Sequence, residues 1–198
     1  MTGPTAPRDP GAPSPDFDAL YADDHDPWQV ETSWYERRKL AVLLAALPRE
    51  RYPSAWEPGC GPGVVSQALA AHVDDLVASD ISATAVGLAR ARPAMPAHVR
   101  FEVSELPQVP LPGAVDLVVV AEFLYYLPDL DEALAAVWSA AAPGGHVAYL
   151  HWAHRPHDAY RSGPEMHARI GLDAMQRGAT LLVSHVDRDF LLDIYEVT

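Results

Sequence analysis

Cysteine is nearly absent. A single residue, Cys60, stands in 198, so no internal disulfide can staple the chain and a reducing cytoplasm is the expected setting. Basic charge is also scarce: 14 Lys and Arg face 27 Asp and Glu, a formal net charge of −13. Nucleic-acid backbones and anionic membrane surfaces both select for a dense basic face. Neither nucleic acid nor membrane is an expected partner, since Arg37-Arg38-Lys39 is the one basic run and lies inside an amphipathic segment. Long apolar runs are missing too; none approaches the ~20 residues that cross a bilayer, and no charged-then-apolar leader is visible. A metal-ligand pattern is lacking as well. His151, His154 and His157 recur every third residue, but in a proline-containing loop with no cysteine beside them, so no metal is expected.

What is present suffices for one domain with a real core, because 49% of the residues are hydrophobic and domains commonly run ~50–250 residues. Residues 1–16 hold five prolines among small residues and bury too little to offset ordering entropy, which predicts a disordered tail. Residues 17–198 are then a single domain. Its first part, residues 17–47, concentrates Phe17, Leu20, Tyr21, Trp28, Trp34 and Tyr35 beside acids, so this segment must pack on something. Thr32 or Ser33 with Glu36 reads as a capping box, followed by leucines at helical spacing to Leu47.

Beyond Pro53 the pattern alternates. A short apolar run meets Glu57-Pro58-Gly59-Cys60-Gly61-Pro62-Gly63 and a helix-like segment from Val64 to His72. Strands follow at Leu76–Ser79, His98–Val103, Val115–Ala121 and His146–Leu150, interleaved with helices from Ser82 to Arg92 and Leu130 to Ala142. The tail reads as a helix from Pro164 to Gln176 and two strands, Ala179–Val186 and Phe190–Val197. Only three residues separate those strands, too few for a crossover, so they should pair antiparallel. The expected fold is α/β, Rossmann-like and doubly wound, with a mainly parallel seven-stranded sheet and an antiparallel C-terminal strand.

Ligands in such sheets bind beyond the carboxyl ends of the strands. Those ends carry Glu57 to Gly63, Asp80, Glu105, Ala121 to Tyr126, and His151. The glycine spacing is not the dinucleotide fingerprint, no Lys-Ser or Lys-Thr follows for a phosphate loop, and Glu57 would repel a pyrophosphate. An ammonium group would instead welcome Glu57. Asp80, a little over ~20 residues on, sits where an acid accepts hydrogen bonds from ribose hydroxyls. Glu105 at the third strand end is placed to read an adenine amino group. Together these describe an adenosine with an amino-acid tail and no phosphates, which is S-adenosylmethionine. The expected cofactor set includes Glu57, Gly59, Gly61, Gly63, Asp80, Ile81, Glu105, Leu106 and Ala121.

This arrangement resembles class I S-adenosylmethionine-dependent methyltransferases over roughly Ser54 to Leu150. More narrowly, Asp26 to Lys39, Glu57 to Cys60, Glu122-Phe123-Leu124-Tyr125-Tyr126-Leu127 and His151-Trp152 resemble the nodulation protein S (NodS-like) N-methyltransferases. The resemblance implies that residues 17–47 cover the cofactor, with Trp34 and Tyr35 closing over it and Arg38 pairing the methionine carboxylate. It also implies methylation of the free amine of a de-N-acetylated glucosamine unit in a chitooligosaccharide, a small-molecule acceptor. For the chemical step the expected proton acceptors or amine orienters are Glu122 and His151, with Tyr35 from the covering segment. Two other functions share this pocket: O-methylation of a natural-product hydroxyl, and cofactor binding without catalysis.

Overall fold

A computed structural model describes residues 14–198; the disorder expected of the first residues lies outside the described residues for 1–13. Seven strands form one sheet in the order β3-β2-β1-β4-β5-β7-β6. They are β1 (Tyr52–Pro58), β2 (Val73–Asp80), β3 (Val99–Val103), β4 (Val115–Ala121), β5 (Ala141–Trp152), β6 (Thr180–Val186) and β7 (Phe190–Glu196). The first five pair parallel, and β7 runs antiparallel to both β5 and β6. The strand order reverses between β1 and β4, which makes their carboxyl ends the switch point where a crevice must open.

Among the described residues, six α-helices accompany the sheet: α1 (Phe17–Asp23), α2 (Trp34–Ala46), α3 (Val64–Leu69), α4 (Ala83–Ala91), α5 (Leu130–Ala140) and α6 (Gly163–Arg177). β4 shows why both faces need cover, since it is apolar at every position from Leu117 to Ala121. Leu117 and Val119 join one core with Leu43, Leu69, Leu76 and Val86. Val118 and Val120 join the opposite core with Leu134, Val137, Tyr149 and Met166. Truncating a wholly buried leucine such as Leu134 to Ala costs about 2–5 kcal/mol. No helix among the described residues is long and apolar enough to cross a membrane.

Three local expectations are corrected. Ser33 precedes α2 without a side-chain capping bond, because Glu36 turns to Lys39 instead. The capping box is at α6, where Ser162 and Glu165 bond reciprocally and Pro164 opens the helix. α5 stops at Ala140, and β5 runs through Pro143-Gly144-Gly145 as a register shift against β4. Finally, residues 17–23 form a helix of their own, α1, capped by Asp16, whose side chain accepts from the Ala19 amide at 3.0 Å. Ser14 also donates to the Tyr126 carbonyl at 3.3 Å, so residues 14–16 lie against the domain.

Candidate active site

A continuous cavity of ≈ 1710 Å³ opens over the carboxyl ends of β1, β2, β4 and β5. That exceeds the ~300–1,000 Å³ of a typical one-ligand pocket, so two molecules can share it.

The β1 end turns sharply because Gly59 and Gly61 hold positive φ, +69° and +50°, where a Cβ is strained. A Cβ on Gly59 would also meet the Phe123 ring at 2.5 Å, and one on Gly61 would meet the Tyr21 hydroxyl at 2.7 Å. The turn is tied to β2 by the Cys60 amide, 2.9 Å from the Ser79 carbonyl. Asp80 completes the tie: Oδ2 accepts from the Gly61 amide at 2.8 Å and Oδ1 from the Ser82 amide at 2.9 Å. Those amides point at an acid, so this turn is no phosphate cradle. Ser82 itself caps α4 through the Ala85 amide at 3.0 Å, which leaves Asp80 a second lone pair on each oxygen for the cavity it lines.

Glu57 lies beneath the turn, 2% exposed, with Oε2 accepting from the Ser66 hydroxyl at 2.5 Å. Burial pushes its pKa up to about 8; the Ser66 bond opposes this and the Asp80 charge adds to it. Burial raises Asp80 as well, against the amides of Ser82 and Gly61. Ile81, Glu105, Leu106 and Ala121 line the same cavity. Gly63 does not line it. As the left-handed residue before α3, it packs where a Cβ would touch Ala89 at 3.0 Å, so its role is helix packing.

α1 straps this side down. Asp18 Oδ1 accepts from the Ser82 hydroxyl at 2.6 Å and the Thr84 amide at 2.9 Å. Tyr21 is buried over the turn, and its ring meets Trp28 edge to face at 5.6 Å. Phe17 meets Tyr126 in the same way at 5.5 Å. The concentrated aromatics at the start of the chain were visible in the sequence; their helix and its Asp18 latch were not.

At the β4 and β5 ends a charged knot faces the cavity. Glu122, in a left-handed backbone conformation at φ 62°, receives the Lys39 ammonium, the Tyr125 hydroxyl and the Trp152 amide. Lys39 also pairs with Glu36 Oε2 at 2.8 Å and lies 4.9 Å from the Tyr35 ring centre. It is the only lysine in the sequence and is only 4% exposed. Tyr35 lines the cavity while its hydroxyl donates to the Asp189 carbonyl at 3.2 Å. Burial and the Glu122 charge raise its pKa, so it stays protonated.

Arg38, Trp34 and His151 are placed differently from the sequence expectation. Arg38 does not line the cavity; its guanidinium pairs with Asp187 at the far side of α2. Trp34 is 69% exposed and also lies outside the cavity. Successive helical residues point about 100° apart, so of three adjacent cations only Lys39 turns inward. His151 is wholly buried beneath the wall, bonded to His167. The adjacent residues Leu150 and Trp152 line the cavity in its place, as strand alternation requires.

The model of the family described as nodulation protein S (NodS) matches residues 18–142. Nodulation protein S of Rhizobium tropici is 37% identical over 128 residues, 63% of this chain and 54% of that protein. The chain thus spans about half the length of the curated relatives it matches. Trans-aconitate 2-methyltransferase of Deinococcus radiodurans is 29% identical over 60% of this chain and 45% of its own length. A crystal structure of a candidate methyltransferase from Pseudomonas syringae superposes with TM-score 0.71 at 41% identity, covering 83% of this chain and 99% of that one. The N-methyltransferase NodS of Bradyrhizobium japonicum WM9, solved with S-adenosyl-L-homocysteine, superposes with TM-score 0.73 at 26% identity, covering 88% and 93%. With the glycine turn, Asp18 and Tyr21 of the α1 strap, and Lys39, Glu122 and Tyr125 of the knot falling within the matched residues, the chain belongs to the nodulation protein S family.

Proposed function

We propose that the protein is an S-adenosylmethionine-dependent methyltransferase that methylates the free amine of a small acceptor, an amino sugar of the de-N-acetylated glucosamine type. The chain's own residues fit the cofactor. Asp80 offers lone pairs to two vicinal hydroxyls, Ile81 and Leu106 offer apolar flanks for a base, and Glu105 offers an acceptor for its amino group. Gly59 and Gly61 leave room where a Cβ would collide, and buried Glu57 lies under the turn as counter-charge for an ammonium-bearing tail. Lys39 takes the place that Arg38 was expected to hold. Two of its N–H groups meet Glu36 and Glu122, and the third serves the tail carboxylate.

S-adenosylmethionine, when bound, supplies an electrophilic methyl group. The protein's own share is orientation and exclusion of water, and orientation alone can supply ~7–11 kcal/mol. α1 and the aromatic residues Phe17, Tyr21 and Trp28 keep water off the turn. Glu122, fixed by its three partners, attracts the ammonium form of the acceptor and orients the neutral amine that remains once that form has released a proton to solvent.

The observation that carries the amine reading is the charge of the acceptor side. Glu36, Glu122, Asp129, Glu132 and Asp158 line the cavity, against Lys39 and Arg155; Lys39 pairs with Glu36 and Glu122 and Arg155 with Glu165, so the balance stays acidic. Such a wall attracts a cationic acceptor. It repels polycarboxylates of the trans-aconitate kind, so the likeness to that relative does not carry its acceptor over. Incubation with methyl-labelled cofactor tests this directly. Glucosamine oligomers should take label and their N-acetylated forms should not; equal labelling of both, or of neither, defeats the amino-sugar assignment.

A further inference from the structure

The two edges of the sheet, β3 and β6, are guarded differently. β3 is short, and its exposed positions carry Arg100 and Glu102 beside Val103. Short, charged strands are the usual protection against pairing with another chain. β6, Thr180-Leu181-Leu182-Val183-Ser184-His185-Val186, is longer and holds no proline and no Lys, Arg, Asp or Glu. Its outer backbone N–H and C=O groups meet no strand among the described residues. Leu181, Leu182 and Val186 are 50%, 41% and 77% exposed.

The strand register shows where this apolar surface looks. Leu181 lies opposite Tyr195 of β7 and Val186 opposite Leu191. Paired residues share a face, and Tyr195 packs beneath α6 with Ile170 and Ala174. On α6, Arg169 pairs with Asp131 of α5. Met175 comes about 120° round the helix from Arg169, past the exposed Leu172, to the flank nearer β6. Of the ten large apolar residues exposed among the described residues, five therefore share this corner, whereas Trp28 and Ile81 line the cavity. Scattered exposed apolar residues need no explanation, but a contiguous group marks a contact surface. A charge stands beside it. Arg188, exposed in the turn after β6, makes no hydrogen bond or ion pair among the described residues, while every other described arginine bonds within the chain. In a chain where acids outnumber bases 27 to 14, a cation left in this way points to an acid on another molecule.

We propose that β6 is the interface of a homodimer, in which the β6 strands of two copies pair antiparallel about a two-fold axis and join their sheets. A second copy suits this edge for three reasons. Open strand backbone is complementary to itself, because an antiparallel mate supplies an acceptor for each donor. The strip is uncharged, so two chains of net charge −13 meet along it without setting acid against acid. The charges beyond its ends are complementary as well. A register centred on Val183 brings position 188 of one copy level with position 178 of the other, beside Thr180, whose neighbour on β7 is Glu196. The Glu196 side chain is 46% exposed, with His146 at 3.7 Å beside it. Arg188 thereby gains a carboxylate, and the two-fold makes the same pair twice. Met175 and Leu181 of each copy cover the joined strands on the α6 side. The cavity stays open, since none of these residues lines it.

Sedimentation equilibrium of the full-length protein across the micromolar range tests this. The wild type should show twice the mass of the chain. Leu182→Lys combined with Val186→Lys puts guarding charges on the edge and should give the single-chain mass at the same concentrations, with circular dichroism unchanged. Arg188→Glu alone and Glu196→Arg alone should each weaken the dimer about tenfold, because each turns two attractions into two repulsions. Both exchanges in one chain, Arg188→Glu with Glu196→Arg, should restore the wild-type affinity. A dimer that survives both lysines, a mass beyond two chains, or a double exchange no tighter than the single ones would each overturn the proposal. Single-chain mass throughout would overturn it too, and would assign the edge to another protein or another segment of this chain. Should the lysine variant not fold, the exchange series decides alone, because both of its positions are at the surface.

Discussion

The two halves of the cavity are built on opposite plans. On the proposed cofactor side, the contacts that shape the turn join the ends of neighbouring strands through the backbone, Gly61 to Asp80, Cys60 to Ser79 and Ser82 to Asp80, with the Asp18 latch added from 64 residues away. On the acceptor side, side chains meet from distant parts of the chain, as when Lys39 reaches Glu122 across 83 residues. The first half is rigid because altering it breaks the turn itself. The second can change its lining one side chain at a time without disturbing the sheet. A fold organised this way keeps its cofactor while its acceptor diverges, and each half can be tested separately.

The largest effect should come from the cofactor side. Asp80→Asn keeps the volume but replaces an acceptor pair with one acceptor and one donor, which opposes the Gly61 or Ser82 amide and a ribose hydroxyl together. Charged hydrogen bonds are worth about 1.5–3 kcal/mol each, so affinity for S-adenosyl-L-homocysteine should fall about a hundredfold by titration calorimetry. A loss under threefold would show that Asp80 serves the turn alone and that the two halves are not divided as described.

Next in size is Lys39, where the halves touch. Lys39→Met should weaken cofactor binding about tenfold, the value of one charged hydrogen bond, whereas Arg38→Met should leave it within twofold because Arg38 is paired with Asp187. Since Lys39 is the only lysine, an amine-reactive reagent has one side-chain target, and bound S-adenosyl-L-homocysteine should protect it. Equal labelling with and without ligand, or an Arg38→Met defect matching that of Lys39→Met, would return the carboxylate to Arg38.

What the sequence revealed divides along the same line. The glycine turn, Asp80 and the alternation of strands and helices are local patterns, and the structure brings Glu57, Asp80, Ile81, Glu105, Leu106 and Ala121 to one cavity. Gly63, equally visible in the motif, went to helix packing. The choice among Arg37, Arg38 and Lys39 was not legible, because it depends on how α2 is rotated against β4 and β7. His167 carried no signal at all, since nothing local marks a histidine on α6 as the partner of His151. The strand period did contain a warning for His151: if Leu150 and Trp152 face the cavity, the residue between them faces the opposite layer.

The smallest expected effect concerns pH and belongs to the cofactor half. Glu57 has its pKa raised from 4.5 to about 8, chiefly by burial. Its neutral form is therefore favoured in the folded protein, while the unfolded chain ionises near 4.5. Between those values the folded state holds more protons, so the contribution to stability is fully present below about pH 4.5 and is lost as pH rises toward 8. Melting temperature of the protein alone should decline across that window, with Asp80, also raised by burial, adding in the same sense. Ligand binding should run the other way. An ammonium-bearing tail favours ionised Glu57, so binding releases a proton, and affinity for S-adenosyl-L-homocysteine should rise about fivefold from pH 7 to 8 and flatten above. Glu57→Gln keeps the shape and removes the titration, so its affinity should vary less than twofold over that interval. If the wild type shows the same flat profile, Glu57 is not a counter-charge for the tail, and the cofactor half relies on its backbone turn and Asp80 alone.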